Sequence, residues 1–354
     1  MGAPAGERSW PALLRALSGG RDIDAADTAW AMSEMMSGSA TDAQLAAFVV
    51  LLRAKGETPQ ELAGLVRTML ERAPAVPAEG RCVDVVGTGG DGANTVNVST
   101  MAAILTAATG RPVVKHGNRA ASSAAGAADV LEALGVVIDL PADAVARCVR
   151  EAGIGFCFAP VFHAGMRFAA PARGQLGIPT VFNLLGPLSN PARPAASAVG
   201  CADPAAAPLL AAVLANRGAS ALVFRGDDGL DELTTTTTSA VWCVGGGSVD
   251  RISIDPTRLG IASGTPEALR GGDAAHNAGV VRELLAGGLP DVRAAVVLNA
   301  AAAIAAFDGA VAPAGLAGAL ALGIEEASGA SDSGAASALL ERWAELSRSL
   351  RAPR

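Results

Sequence analysis

The chain has 354 residues, is 51% hydrophobic and carries a formal net charge of −7. That length is enough to bury a large core and a smaller one, while the acidic balance argues against a nucleic-acid or membrane-surface partner. Five scattered cysteines (Cys82, Cys148, Cys157, Cys201, Cys243) contain no CxxC pair. They read as free thiols of a reducing compartment. MGAPAGERSWPALL has neither a basic leader nor an apolar signal core, so the expected location is cytoplasmic.

Residues 1–75 read as helices only. Thr41-Asp42-Ala43-Gln44 and Thr58-Pro59-Gln60-Glu61 fit capping boxes, in which the Thr hydroxyl and the third-position side chain satisfy free amides reciprocally. Pro59 suits the first helical position, where its missing N–H costs nothing. Leu45, Phe48, Val49 and Leu52 keep helical spacing, as do Leu62, Leu65, Val66 and Leu70. APAVPAEG then breaks the pattern as a linker.

From Cys82 onward, short β-branched runs alternate with Ala-rich helical segments. The runs are Cys82–Val86, Pro112–Lys115, Ile154–Phe158, Ala196–Gly200, Ala221–Phe224, Val241–Val244 and Ile252–Ile254. This alternation predicts an α/β fold, with a mostly parallel sheet covered by helices on both faces. The threonine run Thr234–Thr238 reads as loop or strand rather than as a site. Ala294–Ala312, mostly alanine but interrupted by Asn299 and Asp308, reads as a buried helix and not a membrane span. The last helix, ALLERWAELSRSL, puts Leu339, Leu340, Trp343, Leu346 and Leu350 on one side.

Two motifs carry chemistry. The first strand runs into GTGGDGANTVNVST, where Gly87, Gly89 and Gly92 satisfy G-x-G-x-x-G. A tight strand-to-helix turn would do the same, and a dinucleotide site must be weighed. That site requires an acidic residue about twenty positions on, to take ribose hydroxyls. The next strand instead ends in Lys115-His116-Gly117-Asn118-Arg119, and Asn97, Ser99 and Thr100 add polar groups at the following helix start. Cations and amide donors face phosphate, and a helix N-terminus favours an anion. The Lys-Ser/Thr spacing of a P-loop is also absent. The second motif, Asp227-Asp228-Gly229-Leu230-Asp231-Glu232, follows a strand and so falls at the same sheet edge. Paired carboxylates beside a phosphate site suit magnesium, although the motif alone fits an exposed acidic turn equally well.

Together, GTGGD with NVST, KHGNRAASS, FNLLGPLSNP and DGLDE resemble the anthranilate phosphoribosyltransferase family. SATDAQLAAFVVLLRAKGET, ADVLEALG and GGDAAHNA extend the resemblance over almost the whole chain. It implies a helical domain over residues 1–75, completed by a mid-chain helical insertion at about 160–185. Beside it would stand an α/β domain over residues 80–354 of the nucleoside phosphorylase/phosphoribosyltransferase kind. It also implies a homodimer, Mg2+ as cofactor, and phosphoribosyl pyrophosphate and anthranilate as ligands. By position, phosphoribosyl pyrophosphate would meet Gly87, Gly90, Asp91, Thr95, Asn97, Val98, Ser99, Thr100, Lys115, His116, Gly117, Asn118, Arg119, Ala120, Ala121, Ser122, Ser123 and Ala127. Anthranilate would meet Gly87, His116, Asn118, His163 and Arg173, the arginine offering a planar fork to its carboxylate. Ser99, Asp231 and Glu232 would organise the metal. His276 falls outside these roles and reads as a helix-surface residue. Pro179 stands where the family usually carries arginine, Arg167 replaces a usual lysine, and Ala124, Ala125 and Ala127 occupy a stretch often richer in polar residues. The nearest rival is a phosphoribosyltransferase acting on another aromatic amine. Pyrimidine nucleoside phosphorylases and a non-catalytic nucleic-acid binder fit the motifs and the charge less well.

Overall fold

The computed structural model describes residues 8–120 and 124–351. Four helices come first: α1 (Trp10–Ser18), α2 (Ala25–Ser37), α3 (Asp42–Lys55) and α4 (Pro59–Arg72). Both expected capping boxes form. Thr41 Oγ1 accepts from Gln44 N at 3.2 Å while Gln44 Oε1 accepts from Thr41 N at 2.9 Å. Thr58 and Glu61 repeat this at 3.2 and 2.8 Å. Glu61 is fully buried and also accepts from Ile23 N and Lys55 Nζ, both at 3.0 Å, so one carboxylate joins three segments. Helices α2 and α4 cross at Gly64, where a Cβ would lie 2.0 Å from Thr28 Oγ1.

The α/β part begins with β1 (Val83–Gly87), α5 (Val98–Ala108), β2 (Val113–Gly117), α6 (Ala127–Ala133), α7 (Ala142–Ala152) and β3 (Ile154–Phe158). The chain then returns to the helical bundle through α8 (Ala159–Phe162), a 3-10 turn at Ala164–Phe168, α9 (Ala170–Leu176) and α10 (Phe182–Leu185). Gly165 packs on α2 so closely that a Cβ there would meet the Met36 carbonyl oxygen at 2.7 Å. Next come β4 (Ala196–Gly200), α11 (Ala206–Asn216), β5 (Ser220–Gly226), β6 (Ser239–Gly245) and β7 (Ser248–Ile254). The chain ends in α12 (Ala274–Leu285), α13 (Pro290–Asp308), α14 (Pro313–Asp332) and α15 (Ala335–Ser349).

One seven-stranded sheet runs β3-β2-β1-β4-β5-β6-β7. The first five strands are parallel and the last two pair antiparallel. Alternate strand residues feed two cores, as the period-2 geometry demands. Val83, Val85, Ala198 and Leu222 face the core that holds α5, α13 and α15. Val86, Val199, Ala221 and Val223 face α11 and the bundle. Among the described residues, α13 is the one helix long and apolar enough to cross a membrane, and it lies in the core, with Val296 and Ala300–Ala303 fully buried.

The strand order has one reversal. β1, β2 and β3 advance outward in one direction, and β4 returns to the far side of β1. Open α/β sheets bind ligands outside the carboxyl ends of the strands at such a switch point.

Candidate active site

At the switch point β1 and β4 end side by side in Gly87 and Gly200, which are register partners. The loop after β5 folds across them. A Cβ on Gly87 would stand 2.3 Å from Asp231 Oδ2, and one on Gly200 would stand 1.6 Å from the Asp231 carbonyl oxygen. Asp231 therefore rests on bare backbone, which only glycine leaves open. Its Oδ2 accepts from Gly89 N at 2.7 Å, tying the acidic loop to the glycine loop. From below, Asn299 of α13 holds Leu233, accepting from its N at 2.9 Å and donating to its O at 2.8 Å. The polar interruption of the alanine run is the anchor of the acidic loop.

The four acids of that loop divide into two pairs. Asp228 accepts from Thr234 Oγ1 at 2.6 Å and from the Thr236 hydroxyl, and Asp227 accepts from the Thr238 hydroxyl. The threonine run is thus loop, and its hydroxyls brace the turn. Asp231 and Glu232 are left for the crevice. Burial and the neighbouring Asp91 raise Asp231 to about 6, and burial together with Asp231 pushes Glu232 well above the usual carboxylate range. The opposing cation is Lys115, whose Nζ donates to Ser99 Oγ at 3.1 Å and to the Val85 carbonyl. Lys115 and the Ser99 backbone N–H at the start of α5 partly offset the rise of Glu232. Among the described residues no three or more His, Cys, Asp or Glu side chains form a complete metal cage. A crowded, incompletely neutralised set of oxygens fits a hard dication that keeps waters and substrate phosphates as its other ligands.

The glycine loop holds left-handed backbone at Gly89, Gly90 and Gly92, with φ of 66°, 87° and 73°, a conformation glycine adopts without steric cost. Its far wall comes from late in the chain. Val96 N donates to Leu269 O at 2.9 Å and Gly271 N to Asn94 O at 2.8 Å. Asn97 donates to Ala125 O at 3.0 Å and accepts from Asn277 Nδ2 at 2.9 Å.

His116 on β2 and His163 after α8 are buried with ring centroids 5.2 Å apart, edge to face. His116 Nδ1–H donates to Gly186 O at 2.9 Å and His163 Nε2–H donates to Ser189 O at 2.8 Å, which fixes both tautomers because a carbonyl only accepts. Burial, and secondarily His163, pushes His116 down to about 3, so both rings are neutral. The other nitrogen of each ring has no partner among the described residues. Beneath them Asp84, fully buried and raised to about 6 by that burial, accepts from His116 N at 3.1 Å and Asn190 Nδ2 at 2.8 Å. Asn190 also donates to Val114 O at 2.7 Å, stitching the PLSNP segment to β1 and β2.

Two family models match the chain. The "Glycosyl transferase family, helical bundle domain" matches residues 11–73 and the "Glycosyl transferase family, a/b domain" matches residues 79–337. The anthranilate phosphoribosyltransferase of Nocardia farcinica is 60% identical over 342 residues, covering 96% of this chain and 99% of its own length. The chain belongs to the anthranilate phosphoribosyltransferase family. The family's enzyme from Thermus thermophilus has a solved structure that superposes with a TM-score of 0.87 at 39% identity, covering 95% of this chain and 99% of that one. The Saccharomyces cerevisiae anthranilate phosphoribosyltransferase, solved in complex with PRPP and Mg, gives 0.85 at 25% identity, covering 97% and 99%.

Of the positions implied by resemblance to anthranilate phosphoribosyltransferases, Gly87, Gly90, Asp91, Thr95 and Asn97 lie on the glycine loop and its ends. Val98, Ser99 and Thr100 open α5, and Lys115, His116 and Gly117 close β2. Ala120 N donates to Asp129 Oδ2 at 3.0 Å, and Ala127 opens α6. Ala121, Ser122 and Ser123 lie outside the described residues. Arg119 is exposed but paired with Asp129 at 2.7 Å and Glu132 at 2.9 Å, so its charge is already answered locally. Asn118 is exposed, its Oδ1 accepting from Arg119 N at 2.8 Å. Arg173 is exposed on α9, its guanidinium carbon 5.2 Å from the Phe182 ring centroid. Pro179 is exposed in the turn after α9, and His276 is exposed on α12. Sequence reasoning missed Asp84, Asn190, Gly200, Asn277 and Asn299. Asp84 and Asn299 had a signal, since each is a lone polar residue in an apolar run and must find a partner when buried.

Proposed function

We propose that this chain transfers the phosphoribosyl group of phosphoribosyl pyrophosphate to the amine of anthranilate, giving N-(5-phosphoribosyl)anthranilate and pyrophosphate. The observation that carries the reading is the junction of Asp231–Glu232, Gly87–Gly200 and Lys115–Ser99 at the carboxyl edge of the sheet. The relatives' activity supports it, as does the PRPP and Mg held by the yeast enzyme.

The new bond joins the amine nitrogen to the anomeric carbon. The bond from that carbon to the pyrophosphate oxygen breaks with its electrons, and the amine's proton leaves to solvent. An aromatic amine is neutral at pH 7 and needs no strong base, and no covalent enzyme intermediate is required. Catalysis comes from holding the reactants in line and from favouring charge on the departing pyrophosphate. The glycine loop offers backbone amides to the donor's phosphates, and Lys115 sets a cation beneath them. Asp231 and Glu232, with Ser99 beside them, would hold magnesium, which when bound neutralises pyrophosphate oxygens. Arg173 would receive the anthranilate carboxylate, while the neutral His116 and His163 line its route without exchanging protons. The homodimer expected from the resemblance belongs to this proposal. So does the cytoplasmic location, which the five free, buried cysteines support.

The test follows the loss of anthranilate fluorescence with phosphoribosyl pyrophosphate and magnesium, beside a chelated sample and an Asp231→Ala/Glu232→Ala variant. Magnesium-dependent loss that the variant lacks is expected. If the donor binds but anthranilate persists, the acceptor is another aromatic amine, and the turn at Pro179 is the first place to look. Absence of donor binding would overturn the reading.

A further inference from the structure

At the opposite edge of the sheet, a cavity of about 590 Å³ opens between the bundle and the α/β part. Its walls are α4, the chain returning from the bundle to β4, and the turn between α11 and β5. This is the amino end of β4 and β5, the far side from Gly87 and Gly200, so the cavity is separate from the crevice described above. Its volume falls in the range of small-molecule sites, roughly 300–1,000 Å³. Leu70, Leu188 and Leu214 supply apolar wall, and three guanidiniums, Arg67, Arg193 and Arg217, converge on it.

These arginines are solvent-exposed at the mouth of the cavity and have few protein partners. The only carboxylate in the lining is Glu71, 3.9 Å from Arg67 Nε. Each guanidinium makes one hydrogen bond to a backbone carbonyl: Arg67 to Ala25 at 3.3 Å, Arg193 to Leu70 at 3.4 Å and Arg217 to Leu188 at 2.7 Å. Most of each five-donor fork is left unpaired among the described residues. Arg217 is exposed as a residue, and partial desolvation of its guanidinium, followed by the neighbouring Arg193, lowers it to about 10.

We propose that this cavity is a second ligand site, taking a small amphiphilic anion. Arg193 and Arg217 grip the anionic head and the three leucines seat the apolar body. Arg67 and Leu70 belong to the bundle, and Leu214 and Arg217 to the sheet's own layer. An occupant therefore ties the two bodies together at the rear while the reaction proceeds at the front.

The test titrates 3-phenylpropionate and phenyl phosphate by calorimetry into full-length protein saturated with phosphoribosyl pyrophosphate and magnesium. One equivalent of at least one probe is expected to bind. The Arg193→Ala/Arg217→Lys variant should weaken binding at least about tenfold, the scale of one charge-assisted hydrogen bond. Arg67→Ala, on an exposed helix face, should also weaken it, and serves should the double variant fail to fold. Arg173→Ala, at the front, should leave probe binding unchanged. Preference for one probe tells a carboxylate ligand from a phosphate ligand. No binding of either probe on the order of 10 mM overturns the proposal. So does undiminished binding in the rear variants, or loss of binding in Arg173→Ala.

Discussion

Gly200→Ala tests whether the acidic loop is positioned by the glycine floor. The added Cβ would stand 1.6 Å from the Asp231 carbonyl oxygen and 2.5 Å from its carbon, where ordinary contact begins near 3.4 Å. Both are backbone atoms, so no side-chain rotation relieves the clash, and residue 231 must retreat by well over an ångström. Leu233 cannot follow freely, because Asn299 grips both of its backbone groups. The carboxylates of Asp231 and Glu232 then leave the glycine loop, and a misplacement of about 1 Å at a reacting site costs roughly 100-fold in rate. Overpacking of this kind also lowers stability by about 1–3 kcal/mol, too little to unfold a typical native protein at 25 °C. Steady-state kinetics with a magnesium titration should show kcat/KM reduced by about 100-fold or more and a raised magnesium requirement, in protein with unchanged circular dichroism. Gly318→Ala is the control. It lies inside α14 with no atom within 4 Å of a new Cβ, and it should gain about 0.5–1 kcal/mol of stability with activity intact. If Gly200→Ala keeps kcat/KM within about threefold of the parent (~0.7 kcal/mol), the floor does not position the acids and the reasoning is wrong.

Three further outcomes are expected. His116 titrates near 3 in the folded chain and near 6.5 when unfolded, so the unfolded state takes up the proton first and stability is lost as pH falls from 6.5 towards 3. Between pH 6.5 and 5 the parent should lose about 2 kcal/mol more than His116→Gln in urea unfolding, and parallel losses would refute the buried neutral ring. Asp84→Asn removes the main counter-charge of the buried Lys115, and should cost about 3 kcal/mol by chemical denaturation. A loss under about 1 kcal/mol would mean that Asp231 and Glu232 suffice for that lysine. Asn299→Leu keeps the apolar volume but strands Leu233 N and O, costing about 1–3 kcal/mol for each unpaired group. The same change should reduce activity more than a comparably destabilising change on α15, such as Leu339→Ala.

The sequence made the scaffold legible because its signals are local. β-branched runs marked all seven strands, and the Thr41 and Thr58 caps marked the starts of α3 and α4 to the residue. The apolar run Ile252–Ile254 marks only part of β7, which extends over Ser248–Ile254 because its exposed polar half pairs with β6 in a hairpin that composition alone does not reveal. The site was legible where motif and strand end coincide, at Gly87, Lys115 and Asp231. It was not legible where a single polar residue reaches across the fold. Asn190 meets Asp84 over 106 positions, and Asn277 meets Asn97 over 180. Nothing near either residue in the chain indicates its partner. Arg119 shows the converse, since its neighbours Asp129 and Glu132 claim the charge that the motif reserved for a ligand.

The bundle is built from two stretches of chain separated by the first three strands. The carbonyl of Met36 receives its neighbour Gly165 only after roughly ninety further residues beyond α4 have been made. At synthesis rates of about 5–20 residues per second, the first four helices wait on the order of ten seconds for the segment that closes them. Loop-closure entropy is set against those distant contacts before they form, which places them late in folding. A nascent chain halted after β3 would carry an open apolar groove on α2 and α3 where Ala169 and Ala172 later sit. The half-made protein is thus most exposed to aggregation at the moment when most of its donor-side strands already exist.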